Sequence, residues 1–175
     1  MEQQSKPIPV VSAILFKRED NELRVFIQTR WKPKVSPTYS GMFEIPAGGI
    51  NSYENVYDAL KREIKEETNL DIVKIIGDYQ SEVENPRQGD RAFTFKPFIC
   101  QQVLETNNGL PWIGFVFLCE VKGEAHVDKK EAKDPMWVSA KELKDILENH
   151  PGDIFPLQLS VLKYFIKNFD KLGLI

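Results

Sequence analysis

Residues 48–70, GGINSYENVYDALKREIKEETNL, are the most informative part of the chain because a glycine-bearing loop there precedes an acidic helix. Glu63 is followed by Glu66 and Glu67, three and four residues later. At 3.6 residues per turn these carboxylates share one face, where their charges repel each other. A hard divalent ion such as Mg²⁺ prefers these oxygen ligands and also binds substrate phosphates. The pattern predicts a magnesium site for phosphate chemistry; the alternative is a solvated acidic helix face.

These residues resemble the Nudix box, G-x5-E-x7-R-E-U-x-E-E-x-G-U, in which U is aliphatic. The matching positions are Gly48, Glu54, Arg62, Glu63, Ile64, Glu66, Glu67 and Leu70. Asn69 replaces the second glycine of the box, where the helix is expected to end in a left-handed residue. Asn tolerates that conformation best after Gly, so we interpret the replacement as structural.

The resemblance implies an α+β (mixed α/β) fold, with a mixed β-sheet sandwiched between helices and residues 1–175 forming a single domain. Runs rich in β-branched and aromatic residues predict strands at 10–17, 23–30, 42–46, 72–83, 91–103, 112–122 and 135–138. The first helix is expected to begin at Asn51 or Ser52, with Asn51 and Glu54 as a capping box. Further helices are predicted to open at Ser139 and to cover residues 156–169.

The resemblance also implies roles for the residues of the box. Glu63, Glu66 and Glu67 are expected to bind Mg²⁺, with Mn²⁺ as an alternative and the backbone carbonyl of Ala47 as a further ligand. Arg62 is expected to orient a carboxylate; the other interpretation is an ordinary ion pair with Glu66, four residues on. Glu54 is interpreted as structural.

The general base is left open between a glutamate of the box and an acid on a later loop. The segment at 126–143, HVDKKEAKDPMWVSAKEL, resembles the family stretch in which a glutamate often enters the site. Glu131, six residues before Trp137, is the best-placed catalytic candidate, and Asp134 is the next. The alternative is a solvated charged loop. His126 is interpreted as an incidental surface histidine, and His150, which is followed by Pro151, as the exit of a helix.

The substrate predicted from the resemblance is a nucleoside diphosphate linked to another moiety X. The stretch FEIPAGG at 43–49 resembles the ELPAG stretch of ADP-ribose pyrophosphatases, and Pro86 follows Leu70 by 16 residues as in that subfamily. ADP-ribose or another nucleotide sugar is therefore the first candidate. The residues expected to contact substrate are Arg30, Phe43, Gly48 and Gly49, together with Trp31; core packing is the alternative for the aromatic residues.

Three other functions remain as alternatives. The first is a pool-sanitising (deoxy)nucleoside triphosphate pyrophosphohydrolase, which would use the same metal site. The second is a non-catalytic nucleotide sensor, disfavoured because such modules commonly lose carboxylates that this chain retains. The third is an RNA-cap or diadenosine polyphosphate hydrolase; the absence of a basic signature in the sequence argues against the cap substrate.

Composition limits the partners. With 42% hydrophobic and 28% charged residues the chain has a globular composition, and its net charge of −3 gives no reason to expect duplex nucleic acid or an anionic membrane as partner. No apolar run suits a transmembrane helix or a signal peptide, so the cytoplasm is the expected location. Cys100 and Cys119 lie in apolar runs and are predicted to be buried thiols. The oligomeric state is open, a homodimer being one alternative.

Overall fold

The computed structural model describes residues 6–107, 109 and 111–174. The first strands are β1 (Ile8–Glu19), β2 (Glu22–Arg30), β3 (Phe43–Glu44), β4 (Ala47–Gly49), β5 (Asp71–Ile75) and β6 (Tyr79–Gln80). They are followed by β7 (Glu84–Arg87), β8 (Asp90–Ala92), β9 (Phe95–Lys96), β10 (Ile99–Gln102), β11 (Trp112–Lys122) and β12 (Ala132–Ser139). The α-helices are α1 (Val56–Thr68), α2 (Ala140–Asn149) and α3 (Leu159–Asn168).

A mixed sheet in the order β10-β11-β1-β2-β12 forms the centre of the molecule. β1 runs parallel to β11, while β2 returns antiparallel to β1 through a tight turn at Asp20 and Asn21. Both turn residues have positive φ, which Asp and Asn tolerate better than most side chains. The short strands β3, β4 and β5 pair with β2, β1 and β11, respectively.

The sheet is covered on both faces, as the mixed α/β expectation requires. Alternate residues of a strand point to opposite faces, so Ala13 and Leu15 pack with α1 while Ile14 and Phe16 pack with α2 and α3. All four side chains are at most 1% exposed. The apolar positions predicted for the first helix, Val56, Ala59, Leu60 and Ile64, are buried in the α1 layer. No helix in the described part of the chain is long and apolar enough to span a membrane.

The structure corrects the predicted start of the first helix. α1 begins at Val56, and the side chain of Asn55 caps it by accepting a hydrogen bond from the amide of Tyr57 at 2.8 Å. Asn51 and Glu54 do contact each other, since the Asn51 amide donates to Glu54 Oε2 at 2.9 Å, but this contact closes the preceding loop. Tyr53 has φ 62°, which a continuous helix does not allow.

Other elements differ from prediction in length. The runs at 72–83 and 91–103 are broken into β5–β6 and β8–β10, which lie mostly in exposed chain. The C-terminal run begins as a 3₁₀ helix, Pro156–Gln158, before α3. Cys119 is buried as predicted, but the prediction for Cys100 is wrong because it is exposed on β10.

A buried glutamine joins the C-terminal segment to the strand that precedes the box. Gln158 is 2% exposed, and its amide accepts from the Ile45 amide and donates to the Ile45 carbonyl, both at 2.8 Å. The Phe155 amide also donates to the Phe43 carbonyl at 2.8 Å. Gln158 therefore satisfies both backbone groups of Ile45 as a neighbouring strand would.

We expect the substitution Gln158→Ala to destabilise the protein, because it leaves a buried donor and a buried acceptor of Ile45 unpaired. The cost should be about 1–3 kcal/mol for each unsatisfied group. Urea unfolding followed by circular dichroism measures it, with Gln80→Ala at an exposed position as the control. Equal stability of the two variants would contradict a structural role for this amide.

Candidate active site

The backbone of Ala47 and Gly48 forms the floor of the candidate site. β4 pairs antiparallel with β1, with Gly48 opposite Val11 and Ala47 opposite Ser12. The Ser12 hydroxyl donates to the Pro46 carbonyl at 3.2 Å. These contacts hold the 47–49 segment on the sheet, beside α1.

Gly48 is required by a close approach. A Cβ atom built on Gly48 would lie 1.9 Å from the carboxyl carbon of Glu63, so any side chain here would force the Glu63 carboxylate to move. The Glu63 carboxylate therefore packs directly on the backbone of residue 48. The family motif has a glycine at this position, and the close approach of Glu63 is the physical reason for it.

One guanidinium group organises the carboxylates around this floor. Arg62 donates to both oxygens of Glu54 at 2.8 Å, to Glu63 at 2.6 Å and to Glu66 at 3.4 Å. It also donates to the Gly49 carbonyl at 3.0 Å. The contact with Arg62, followed by the hydrogen bond from the Asn51 amide, lowers the pKa of Glu54 to about 2. Arg62 thus contacts two of the three carboxylates predicted to bind metal and ties the loop to α1.

Glu67 lies in a strongly negative environment. Its Oε2 accepts a hydrogen bond from the Ala47 amide at 3.2 Å. Burial, followed by the nearby charge of Glu44, raises the pKa of Glu67 to about 8; Glu131 and Glu63 act in the same direction and Lys32 opposes them. Four carboxylates therefore influence one another here, where the sequence motif alone showed three.

A cavity of about 420 Å³ opens beside Glu67 and the Ala47–Gly49 backbone. Arg30 and Glu44 lie in its lining, paired through Nη1 and Oε2 at 2.9 Å. Burial raises the pKa of the Glu44 carboxyl, an effect that Arg30 opposes. The Arg30 guanidinium lies 4.8 Å from the centre of the Phe155 ring. Its Nε is buried and has no hydrogen-bond partner among the described residues.

The aromatic lining of this cavity comes from distant parts of the chain. Tyr39, Trp112 and Phe155 contribute to it, and the rings of Tyr39 and Phe155 meet edge to face with centroids 5.2 Å apart. A pocket with rings on its walls and a cation and carboxylates on its floor suits a nucleotide. Sequence reasoning missed these three residues, since strand and loop aromatics carry no signal that separates a pocket wall from the core.

Glu131 is brought to the edge of the same region. It forms an ion pair with Lys32 at 2.7 Å, and its carbonyl accepts from the Trp31 amide at 2.7 Å. Its carboxylate is about half exposed. Asp134 is exposed and has φ 49°, next to an irregularity in the pairing of β12 with β2. The identity of the general base therefore stays a prediction. Glu67 contacts the floor, and Glu131 is near enough to influence its charge.

The structure brings together most of the predicted site residues. Arg30, Gly48 and Gly49 line the cavity with Ala47 and Glu67. Phe43 lies elsewhere: it packs against the α2–α3 core cluster, so the structure does not bring it to this cavity. Sequence reasoning also missed Glu44 and Lys32, which flank Glu67. The one feature of the sequence that could have identified Glu44 is its position in the FEIPAGG stretch, just before the box.

The donor groups at the floor suit a hard divalent cation. Glu63 and Glu67 offer carboxylate oxygens close to the Ala47–Gly48 backbone, and Glu66 follows on the exposed side of α1. Burial and then the charge of Glu44 raise the pKa of Glu67, and a bound cation would oppose both effects. In the described part of the chain, no three Asp, Glu, His or Cys side chains are arranged so that they could hold a metal ion together. Arg62 holds Glu63 and Glu66 in its own hydrogen bonds.

Known proteins resemble this chain over nearly its whole length. The NUDIX domain model matches residues 6–158. An RNA pyrophosphohydrolase of Campylobacter jejuni subsp. jejuni serotype O:23/36 (strain 81-176) is 27% identical over 173 residues, covering 94% of this chain and 96% of the relative.

Solved structures share the fold. A possible asymmetric diadenosine tetraphosphate hydrolase from Jonesia denitrificans superposes with a TM-score of 0.64 at 14% identity, covering 97% of this chain and 99% of the other. The NUDIX domain of Shewanella oneidensis NrtR, complexed with ADP ribose, gives 0.61 at 14% identity, covering 94% and 89%. At these identities the likeness establishes the fold alone.

We expect Gly48→Ala to weaken binding of Mg²⁺ or Mn²⁺ by about 10- to 100-fold, the scale of other changes that misplace a metal-binding side chain. The added Cβ would displace the Glu63 carboxylate, the flexible end of its side chain, so folding should be little affected. Calorimetric titration with each metal measures the change. The control is Gly152→Ala, since nothing lies within 4 Å of a Cβ at that position. Unchanged affinity in Gly48→Ala would contradict the assignment of Glu63.

The metal-free protein should lose stability as the pH rises toward 8. A carboxyl whose pKa is raised by folding stabilises the folded state most below its unfolded pKa of about 4.3. That contribution is lost as the pH rises through the folded pKa of about 8. Glu67→Gln removes the charge but keeps an acceptor for the Ala47 amide. Its Tm should exceed that of the wild type at pH 8.5, by about 2–4 °C for each kcal/mol relieved.

Differential scanning fluorimetry in EDTA at pH 5 and pH 8.5 tests this expectation. Glu148→Gln, at an exposed position on α2, is the matched control. A Tm difference between Glu67→Gln and wild type that is the same at both pH values would show that the Glu67 carboxyl is not perturbed.

Proposed function

Since the chain belongs to the NUDIX family of hydrolases that act on pyrophosphate bonds, we propose that it cleaves the diphosphate linkage of a nucleoside diphosphate linked to X, with Mg²⁺ as cofactor and Mn²⁺ as the alternative ion. The observation that carries this proposal is the placement of Glu63 and Glu67 around the Ala47–Gly48 backbone, at the floor of the cavity that contains Arg30. Carboxylates for a metal and a cation for phosphate thus meet in one nucleotide-sized pocket.

The proposed chemistry divides the work between the metal ligands and the cavity. A divalent ion, when bound, supplies charge neutralisation at the phosphoryl oxygens and a water of lowered pKa. Glu63, Glu66 and Glu67 would hold this ion, and Arg62 sets the positions of Glu63 and Glu66. Arg30 lines the cavity and would bring positive charge to the phosphates of a bound substrate. Phosphoryl transfer depends mainly on such positioning and charge stabilisation.

Glu67 and Glu131 are the two candidates for accepting the proton of the attacking water. Glu67 contacts the floor directly through the Ala47 amide, at 3.2 Å. Glu131 lies in the loop directly before β12, and its carboxylate forms an ion pair with Lys32. Of the two, Glu67 lies closer to the remaining box residues, whereas Glu131 has more access to solvent.

Two candidates for X are supported by specific observations. The first is the sugar of ADP-ribose or of another nucleotide sugar, supported by the FEIPAGG stretch, whose Ala47 and Gly48 form the cavity floor. The second is an RNA chain whose 5′ end carries a polyphosphate, supported by the full-length likeness to a Campylobacter jejuni RNA pyrophosphohydrolase. A nucleoside triphosphate is the third substrate to be compared, because it would use the same metal site.

Product analysis on a substrate panel tests the proposal. Purified protein with Mg²⁺ is incubated with ADP-ribose, other nucleotide sugars, dNTPs, diadenosine tetraphosphate and a 5′-triphosphorylated oligoribonucleotide. AMP with ribose 5-phosphate as the preferred products would support a nucleotide sugar. Release of pyrophosphate or phosphate from the RNA terminus would support the second candidate. Binding of nucleotides without metal-dependent turnover of any substrate would instead indicate a sensor.

The activity should depend on the box carboxylates. We expect Glu66→Gln to lower kcat by about 100-fold or more, the scale seen when one electrostatic stabiliser of a transition state is removed. Its side chain is largely exposed, so folding should be retained. Glu148→Gln on α2 serves as the control for loss of one surface carboxylate. Turnover near the wild-type rate in Glu66→Gln and Glu67→Gln at saturating Mg²⁺ would exclude this metal assignment.

A further inference from the structure

Two lysine-rich segments meet beside the candidate active site. One is the loop after β2, with Trp31, Lys32 and Lys34; the other precedes and begins β12, with Lys129, Lys130 and Lys133. They are joined by the hydrogen bond from the Trp31 amide to the Glu131 carbonyl, at 2.7 Å. A cavity of about 280 Å³ lies between them, lined by Trp31, Lys32, Lys34, Lys129 and Lys130 among others. We name Trp31 and the five lysines of the two segments, Lys133 included, the Trp31–lysine patch.

An exposed aromatic ring lies within this basic surface. Trp31 is 38% exposed, and the ammonium group of Lys133 lies 3.5 Å from the centre of its ring. Two hydrogen bonds to the Lys32 carbonyl, from the amides of Val35 and Ser36 at 3.2 and 2.7 Å, shape the loop that carries it. The Trp31 ring is therefore held at the surface by a cation–π contact.

The patch carries positive charge in a chain whose net charge is −3. Lys32 is neutralised by Glu131, and Asp128 and Asp134 are the other acids of the β12 segment. Among the residues that the structure describes, Lys34, Lys129 and Lys130 form no side-chain ion pair. Three exposed cations are therefore available around the tryptophan.

The patch is continuous with the candidate active site through a single residue. Lys32 lines both the 280 Å³ cavity and the 420 Å³ cavity that contains Glu67 and Gly48. A substrate whose diphosphate lies on the Gly48 floor would thus have a basic, ring-bearing surface next to it. A compact sugar held in the first cavity leaves this surface without a function.

We propose that the Trp31–lysine patch binds the chain that follows the 5′-polyphosphate of a single-stranded oligonucleotide. Its lysines would contact backbone phosphates and Trp31 would stack against a base, the combination by which proteins hold single strands without reading their sequence. This inference rests on the proposed function, and within it favours the RNA candidate for X over a nucleotide sugar.

Metal-free binding tests the patch separately from catalysis. A 3′-fluorescein, 5′-triphosphorylated RNA 12-mer is titrated with the protein in EDTA and followed by fluorescence anisotropy. We expect Lys129→Ala/Lys130→Ala to weaken binding at least tenfold. The slope of log Kd against log salt should fall by about 1.4, since each phosphate contact to a single strand contributes roughly 0.7. Trp31→Ala should weaken binding with a smaller change of slope, because stacking releases no counterion.

The matched control is Lys141→Ala/Lys144→Ala, which removes the same charge from α2, where both lysines line a separate groove beside α3. A DNA 12-mer of the same sequence distinguishes the two sources of a single strand: tighter RNA binding identifies RNA, and equal binding identifies single strands in general. Binding that both double variants weaken equally would overturn the proposal, as would a Trp31→Ala variant that binds like the wild type.

Failure of the proposed function gives a different result. It would appear as absence of Mg²⁺-dependent turnover on every substrate, whereas the anisotropy assay contains no metal. If the enzyme is active but kcat/KM is no higher for a triphosphorylated 12-mer than for a triphosphorylated dinucleotide, only the patch assignment is overturned. A gain with length that Lys129→Ala/Lys130→Ala abolishes would support it.

Discussion

The guanidinium of Arg62 is the contact on which the rest of the site depends. It binds Glu54, Glu63 and Glu66 and the carbonyl of Gly49, and so joins the loop after β4 to the helix that carries the predicted metal ligands. Arg is suited to this role because its planar group presents several donors in fixed directions and stays charged. Without it, the carboxylates of α1 would repel each other and the loop would have no ionic connection to the helix.

Charge balance explains the residues that surround the Nudix box. Glu67 is near Glu44, Glu131 and Glu63; its pKa is raised first by burial and then by the charge of Glu44, and Lys32 opposes this effect. The cations near these acids are themselves paired, Arg30 with Glu44 and Lys32 with Glu131. A divalent ion bound beside Glu67 would stabilise the charged form of its carboxyl.

Predictions from sequence were accurate where local geometry decides the structure. Helical periodicity placed Val56 and Leu60 in the core, and Asn69 has the left-handed φ of 60° expected at the helix end. The predicted start of the first helix was wrong because two residues can both act as its N-cap. Asn51 and Asn55 are both suitable, and the positive φ of Tyr53 excludes a helix that begins at Asn51. The strands at 72–83 and 91–103 were overextended, because their apolar residues largely pack at the sheet margin rather than in a continuous ladder.

By itself the sequence determined the family, the mixed α/β class and the acidic face of α1, because a spacing of three and four residues on a helix has one geometric meaning. Only the tertiary structure decided what surrounds that face. Gln158 reaches Ile45 across 113 residues, Lys32 reaches Glu131 across 99, and the two basic segments of the Trp31–lysine patch are separated by a similar length. Burial of the sheet's two apolar faces brings such residues together, and no local pattern encodes which polar groups will then be neighbours.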